Sequence, residues 1–123
     1  METKVTIYAT TGPRQSAVFD LPAIPTTAEL RAVVEPLLDG GAMDRMAVWD
    51  GMMFVDMFVD RNAAAKQLPL NQRATEIARA EALAFHKPTP LADTLPAVHG
   101  PAVVFARPVY FAAAPQTNAD RGT

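Results

Sequence analysis

The dipeptide Asp50-Gly51, set between two apolar runs, constrains this chain more than any other local feature. Asp-Gly is a preferred pair for a two-residue type I′ hairpin, because both central residues then need positive φ. With Trp49 placed opposite Met52, the register pairs Val48 with Met53, Ala47 with Phe54, Met46 with Val55 and Arg45 with Asp56, the last a charge match. Side chains alternate across a strand, so one face of the hairpin carries Met46, Val48, Met53, Val55, Met57 and Val59. The other carries Ala47, Trp49, Met52, Phe54 and Phe58 together with Arg45, Asp56 and Asp60.

Proline placement frames this hairpin. Ten of the eleven prolines fall before residue 37 or after residue 87, with Pro69 alone between them. Proline lacks a backbone donor and clashes with a preceding helical turn, so regular elements are expected in the intervals. Two long intervals result, 37 to 68 and 70 to 87.

Before the hairpin, Val5, Ile7 and Ala9 alternate with Thr6, Tyr8 and Thr10, which predicts a strand, and Ala17 to Leu21 predicts a short partner ended by Pro22. Thr26-Thr27-Ala28-Glu29 has the capping-box pattern, in which the Thr26 hydroxyl and the Glu29 carboxylate each satisfy an orphan backbone donor. A helix therefore starts there, with Leu30, Val33, Val34 and Leu37 along one face, a kink or early end at Pro36 and a stop at Gly40-Gly41. After the hairpin, Asn71 is placed to cap a second helix running to about Phe85, whose apolar sector holds Leu70, Ala74, Ile77, Ala78 and Phe85, with Glu81 inside it. Residues 102 to 105 and 109 to 111 read as a last strand interrupted by Pro108, which predicts an edge position or a bulge. The expected organisation is one α+β domain over 1 to 111, a mainly antiparallel sheet of five to six strands with the hairpin at its centre and two helices, followed by a disordered tail over 112 to 123.

Composition narrows the chemistry. The chain has 123 residues, half of them hydrophobic, and no cysteine, so disulfides, thiolate metal sites and thiol nucleophiles are excluded. No apolar run approaches the roughly 20 residues of a membrane-spanning helix, and Met1 to Thr6 has no secretory pattern, so a cytoplasmic protein without membrane contact is expected. The net charge of −2 is uneven: residues 15 to 60 carry −6 and residues 61 to 87 carry +3, the latter mixed with Glu76 and Glu81. That distribution argues against binding a phosphate backbone, which needs clustered Lys and Arg. No phosphate loop accompanies Thr10-Thr11-Gly12-Pro13, and the single serine, Ser16, sits in no nucleophile elbow. His86 and His99 lack metal-ligand spacing, and neither a metal nor another cofactor is expected. Asp56 and Asp60 lie on one strand face roughly 13 Å apart, wider than paired catalytic carboxylates.

The remaining candidate is the strip Trp49, Met52, Phe54 and Phe58 bordered by Asp56 and Asp60, with Asp50 beside it. Trp, Phe and Met are enriched at protein interfaces, and the acidic border would steer a basic partner. The alternative is that one of the protein's own helices covers the strip.

Met57-Phe58-Val59-Asp60-Arg61-Asn62, Leu68-Pro69-Leu70-Asn71-Gln72-Arg73-Ala74-Thr75 and Gly100-Pro101-Ala102-Val103-Val104-Phe105 together resemble a family of small phage- and plasmid-borne proteins classed as a domain of unknown function. The likeness covers about residues 44 to 111 and is most specific over Leu68 to Thr75; it departs at Ala63 to Ala65, where such proteins more often carry glycine. It implies a mobile-element origin in a bacterial host and brings no catalytic residue or cofactor. The function expected is a non-enzymatic protein-interaction module, one that binds and inhibits a host component such as a defence nuclease. Two alternatives stand beside it: a self-associating structural or accessory phage protein that uses the same hairpin face for a homodimer, and a small hydrolase or metal enzyme using Asp56, Asp60, Glu81 or His99.

Overall fold

The computed structural model describes residues 1 to 85 and 95 to 109, with helix residues 81 to 85 described by their backbone. Seven elements follow one another: β1 (Glu2–Tyr8), β2 (Gln15–Asp20), α1 (Thr27–Leu37), β3 (Met43–Trp49), β4 (Phe54–Asp60), α2 (Gln72–Phe85) and β5 (Ala102–Phe105). The five strands form one antiparallel sheet in the order β2-β1-β5-β4-β3, and the fold is α+β as expected.

Sheet order departs from the sequence reading in two places. β5 pairs with β1 on one side and β4 on the other, so it is the central strand where an edge was expected. Pro108 lies beyond the end of β5, and its missing N–H therefore costs the ladder nothing. The Asp50-Gly51 hairpin is central in the chain but peripheral in the sheet, with β3 at the edge. The two hairpins β1-β2 and β3-β4 become one sheet only when the last strand inserts between them.

The hairpin register also moves. Trp49 faces Phe54, Val48 faces Val55 and Arg45 faces Phe58, two residues from the expected pairing. The Asp50 amide donates to the Met53 carbonyl at 3.1 Å, which centres the turn on Gly51-Met52. A type I′ turn on Asp50-Gly51 needs positive φ at both residues, and here it is found at Gly51 (+104°) and not at Asp50. Instead the Asp50 carboxylate accepts from the Met52 and Met53 amides, both at 2.8 Å, an Asx arrangement that moves the corner one residue along. A two-residue shift preserves side-chain parity, so the strand residues keep their predicted faces while Met52 and Met53 leave the ladder.

Each face of the sheet carries a helix. Leu30, Val34 and Leu38 of the α1 segment pack on Val5, Met43, Phe58, Val103 and Phe105, with Val33 and Leu37 flanking. Ala74, Ile77 and Ala78 of α2 pack on the opposite face against Val48, Val55, Met57 and Ala102. The α1 capping box is present, with Glu29 N–H to Thr26 Oγ1 at 3.1 Å and Thr26 N–H to Glu29 Oε1 at 2.8 Å. Helix α1 ends one residue after Pro36, and positive φ at Asp39 (+56°) and Gly40 (+81°) reverses the chain. Leu70, expected in the apolar sector of the second helix, precedes α2 and is 46% exposed. Val109, expected to start a further strand segment, is buried outside any strand, and His86 and residues 110 to 123 lie outside the described residues, as do the side chains of Glu81 and Phe85.

Candidate functional site

The predicted strip is divided by α1. This helix covers the base of the hairpin and leaves the tip open. Phe58 is fully buried, its ring edge-on to Phe105 with centroids 5.4 Å apart, and Asp56 and Asp60 are buried as well. The partner contact expected of Asp56, Phe58 and Asp60 is therefore not available: all three are used inside the molecule.

Asp56 Oδ1 accepts from Arg45 Nε at 2.8 Å and its Oδ2 from the Val109 amide at 2.7 Å, tying the hairpin to the segment after β5. Asp60 Oδ2 accepts from Lys66 Nζ at 2.6 Å and Oδ1 from the Asn62 amide at 2.8 Å. The Lys66 ammonium holds the Asp60 carboxyl below its ordinary range, helped by the Asn62 amide and opposed by burial. A β-carbon on Gly41 would lie 2.5 Å from Asp60 Oδ2, so the absent side chain at Gly41 makes room for that carboxylate.

Toward the tip, Met52 is 87% exposed, and Met53 and Phe54 are close to half exposed. Trp49 packs edge-on to Phe54, ring centroids 5.2 Å apart at 66°, a contact of the kind aromatic quadrupoles favour. Asp50 remains at the surface, its carboxyl held below the ordinary range first by the Met53 amide and then by the Met52 amide. Of the acidic border expected from sequence, Asp50 alone among Asp50, Asp56 and Asp60 is at the surface.

Beside the tip, on the α2 face, runs a groove of about 470 Å³. Its floor is Val48, Val55, Ile77 and Val104, and Tyr8, Trp49, Arg14 and Arg73 stand around it with Asp50 and Glu76. Arg73 lies over the Tyr8 ring, 5.6 Å from its centroid, and donates to the Gly12 carbonyl. Sequence reasoning missed this groove because its walls come from β1, the β1-β2 turn, β3 and α2, and no local spacing links them.

A second cavity, of about 300 Å³, opens at the base of the hairpin on the α1 face. Thr27, Arg31, Met43, Asp44, Arg45, Phe58 and Arg61 line it. It too joins residues distant in sequence.

The stretch Leu68 to Thr75 is a structural clamp. Asn71 is fully buried and caps α2 through Oδ1, which accepts from the Ala74 amide at 3.1 Å. Its Nδ2 donates to the carbonyls of Tyr8 and Gly100, each at 2.9 Å, so a single side chain joins β1, α2 and the strand-entry loop. Thr75 Oγ1 accepts from the Val98 amide at 2.9 Å. Gly100, at φ +79°, lies against Leu68, whose Cδ1 would be 2.7 Å from an added β-carbon. His99 Nδ1 is 3.1 Å from the Leu68 carbonyl oxygen. Among the described residues, no group of three or more His, Asp or Glu converges in a metal-holding arrangement. No described helix is long and apolar enough to cross a membrane. No protein-family model, curated protein or solved structure matches the chain.

Proposed function

We infer that this chain is a non-enzymatic protein-interaction module whose partner contact is the tip of the β3-β4 hairpin together with the adjoining groove. The observation that carries this reading is the exposure of Met52 and Met53 on the turn and of Phe54 at the start of β4, backed by the Trp49-Phe54 ring pair. Exposed apolar side chains scattered singly are ordinary, but three consecutive ones beside an apolar groove fit a docking surface. Methionine adapts its shape to a partner, and the aromatic pair supplies a fixed anchor. The setting proposed is the one implied by the Leu68 to Thr75 resemblance, a mobile element acting on a protein of its bacterial host.

The test is affinity capture from bacterial lysate with the full chain and with M52S/M53S, a double substitution confined to the turn. Loss of a specific captured protein in the variant, with an unchanged circular dichroism spectrum, is the expected result. Equal capture by both proteins would overturn the tip as the contact. If the same surface instead joins two copies, light scattering will give a mass that rises to twice the monomer value with concentration and stays at the monomer value in the variant.

A further inference from the structure

The cavity at the base of the hairpin has a chemistry unlike that of the groove beside the tip, where two arginines are matched by two carboxylates. Three guanidinium groups, Arg31, Arg45 and Arg61, line it against a single lining carboxylate, Asp44, in a chain whose net charge is −2. Two of the three are held in place. Arg45 is oriented by its Nε bond to buried Asp56, and Arg61 donates from an Nη2 to the Met43 carbonyl at 3.1 Å. Asp44 turns one carboxylate oxygen to the Arg45 backbone amide at 3.1 Å. Arg31 stands at the mouth, 60% exposed in its side chain, with Nε 3.9 Å from the Glu35 carboxylate.

Thr27 is the remaining polar residue of the lining. Its Oγ1 is buried and has no hydrogen-bond partner among the described residues. A buried hydroxyl left without a partner forfeits hydrogen-bonding free energy that a ligand oxygen would restore. Phe58 and Met43 supply the apolar part of the lining, and at about 300 Å³ the space sits at the lower end of small-molecule sites.

We propose that this cavity is a binding site for a tetrahedral oxyanion of the phosphate class, received by the guanidinium groups of Arg31, Arg45 and Arg61 and by the Thr27 hydroxyl. Guanidinium forks match the oxygen spacing of phosphate, and its higher charge and greater number of oxygens let it engage several guanidinium groups at once, which a planar monoanion with two oxygens does less well. The cavity exceeds the size of free phosphate, so the natural ligand would carry the phosphoryl group on a small organic body, with inorganic phosphate as the minimal probe. This site lies at the base of the hairpin, away from its tip, and stands independently of the interaction reading.

The experiment is isothermal titration of the full chain with inorganic phosphate at ionic strength held constant by sodium chloride, with sodium acetate as the planar monoanion control. Saturable binding of phosphate at one site, with acetate at least tenfold weaker, is expected. R31Q should weaken phosphate about tenfold and R31Q/R61Q further, because each removes a charge-assisted contact. T27V should weaken it several-fold without changing charge. Arg31 is largely exposed, so R31Q keeps the test open even if the double variant folds poorly. R14Q, which removes an arginine from the groove on the opposite face, should bind like the parent. Absence of saturation above the chloride background, equal affinity for acetate, or equal losses in R14Q and R31Q would each overturn the proposal, the last two by reducing it to general electrostatic attraction.

Discussion

Arg45 reaches diagonally across the β3-β4 ladder to Asp56, Nε to Oδ1 2.8 Å, while the residue directly opposite it is Phe58. The charge match read from the sequence is therefore real, although the register that suggested it is displaced by two residues. Diagonal neighbours on one face remain within reach of a long side chain, so the pair survives the shift.

Asp56 is fully buried and serves both Arg45 and the Val109 amide. Removing it in D56A leaves a largely buried guanidinium and a buried N–H without that acceptor, at an expected cost of about 3 kcal/mol in urea denaturation. The double variant R45M/D56L should recover more than half of that loss, because it removes the stranded charge while the Val109 amide stays without the Asp56 acceptor. A double variant as unstable as D56A would show that the charge pair is not the source of the effect.

Asn71 offers a sharper distinction. Asn and Asp cap helices about equally well, so N71D would be nearly neutral if capping were its whole role. The two bonds from Nδ2 to Tyr8 and Gly100 predict otherwise. N71D should lose about 3 kcal/mol or more by thermal or chemical denaturation, since it aims a carboxylate at two buried carbonyls. N71A should lose about as much.

Acid stability depends on Asp60. Its folded carboxyl is held below the unfolded range of about 3.9, so its contribution is complete above that value and disappears as pH falls through the lowered folded value. A stability profile of D60N should be flatter than that of the parent as pH falls below about 4. G41A should destabilise by forcing the Asp60 carboxylate off Lys66, and combining it with D60N should add less than the sum of the two. Additivity would show that Gly41 and Asp60 act separately.

At the tip, M52S should change stability by less than about 0.5 kcal/mol, because the side chain is 87% exposed. F54A should cost about 1 kcal/mol through the lost ring contact with Trp49. A much larger loss for M52S in differential scanning calorimetry would mean that the turn belongs to the folding core and is not a free contact surface.

Much of the fold was legible locally. The Thr26-Glu29 capping box, the Asn71 cap, both helix spans and the alternation of faces along the hairpin strands depend on hydrogen bonds and periodicities that close within a few residues, and all are present as read. The turn register escaped because the Asp50 side chain competes with its own backbone for the Met52 and Met53 amides, and composition does not reveal which geometry wins.

What the sequence by itself determined is the set of elements and the face on which each strand residue lies, since alternation is a property of the strand alone. Only the tertiary structure decided that the last strand would sit at the centre of the sheet, that α1 would cover Phe58 and leave Phe54 in solvent, and that Arg31, Arg45 and Arg61 would meet around one cavity. The −6 charge summed over residues 15 to 60 gave no hint of that cavity, because a sum along the chain carries no information about which side chains converge once the helix from residue 27 packs over the hairpin that starts at residue 43.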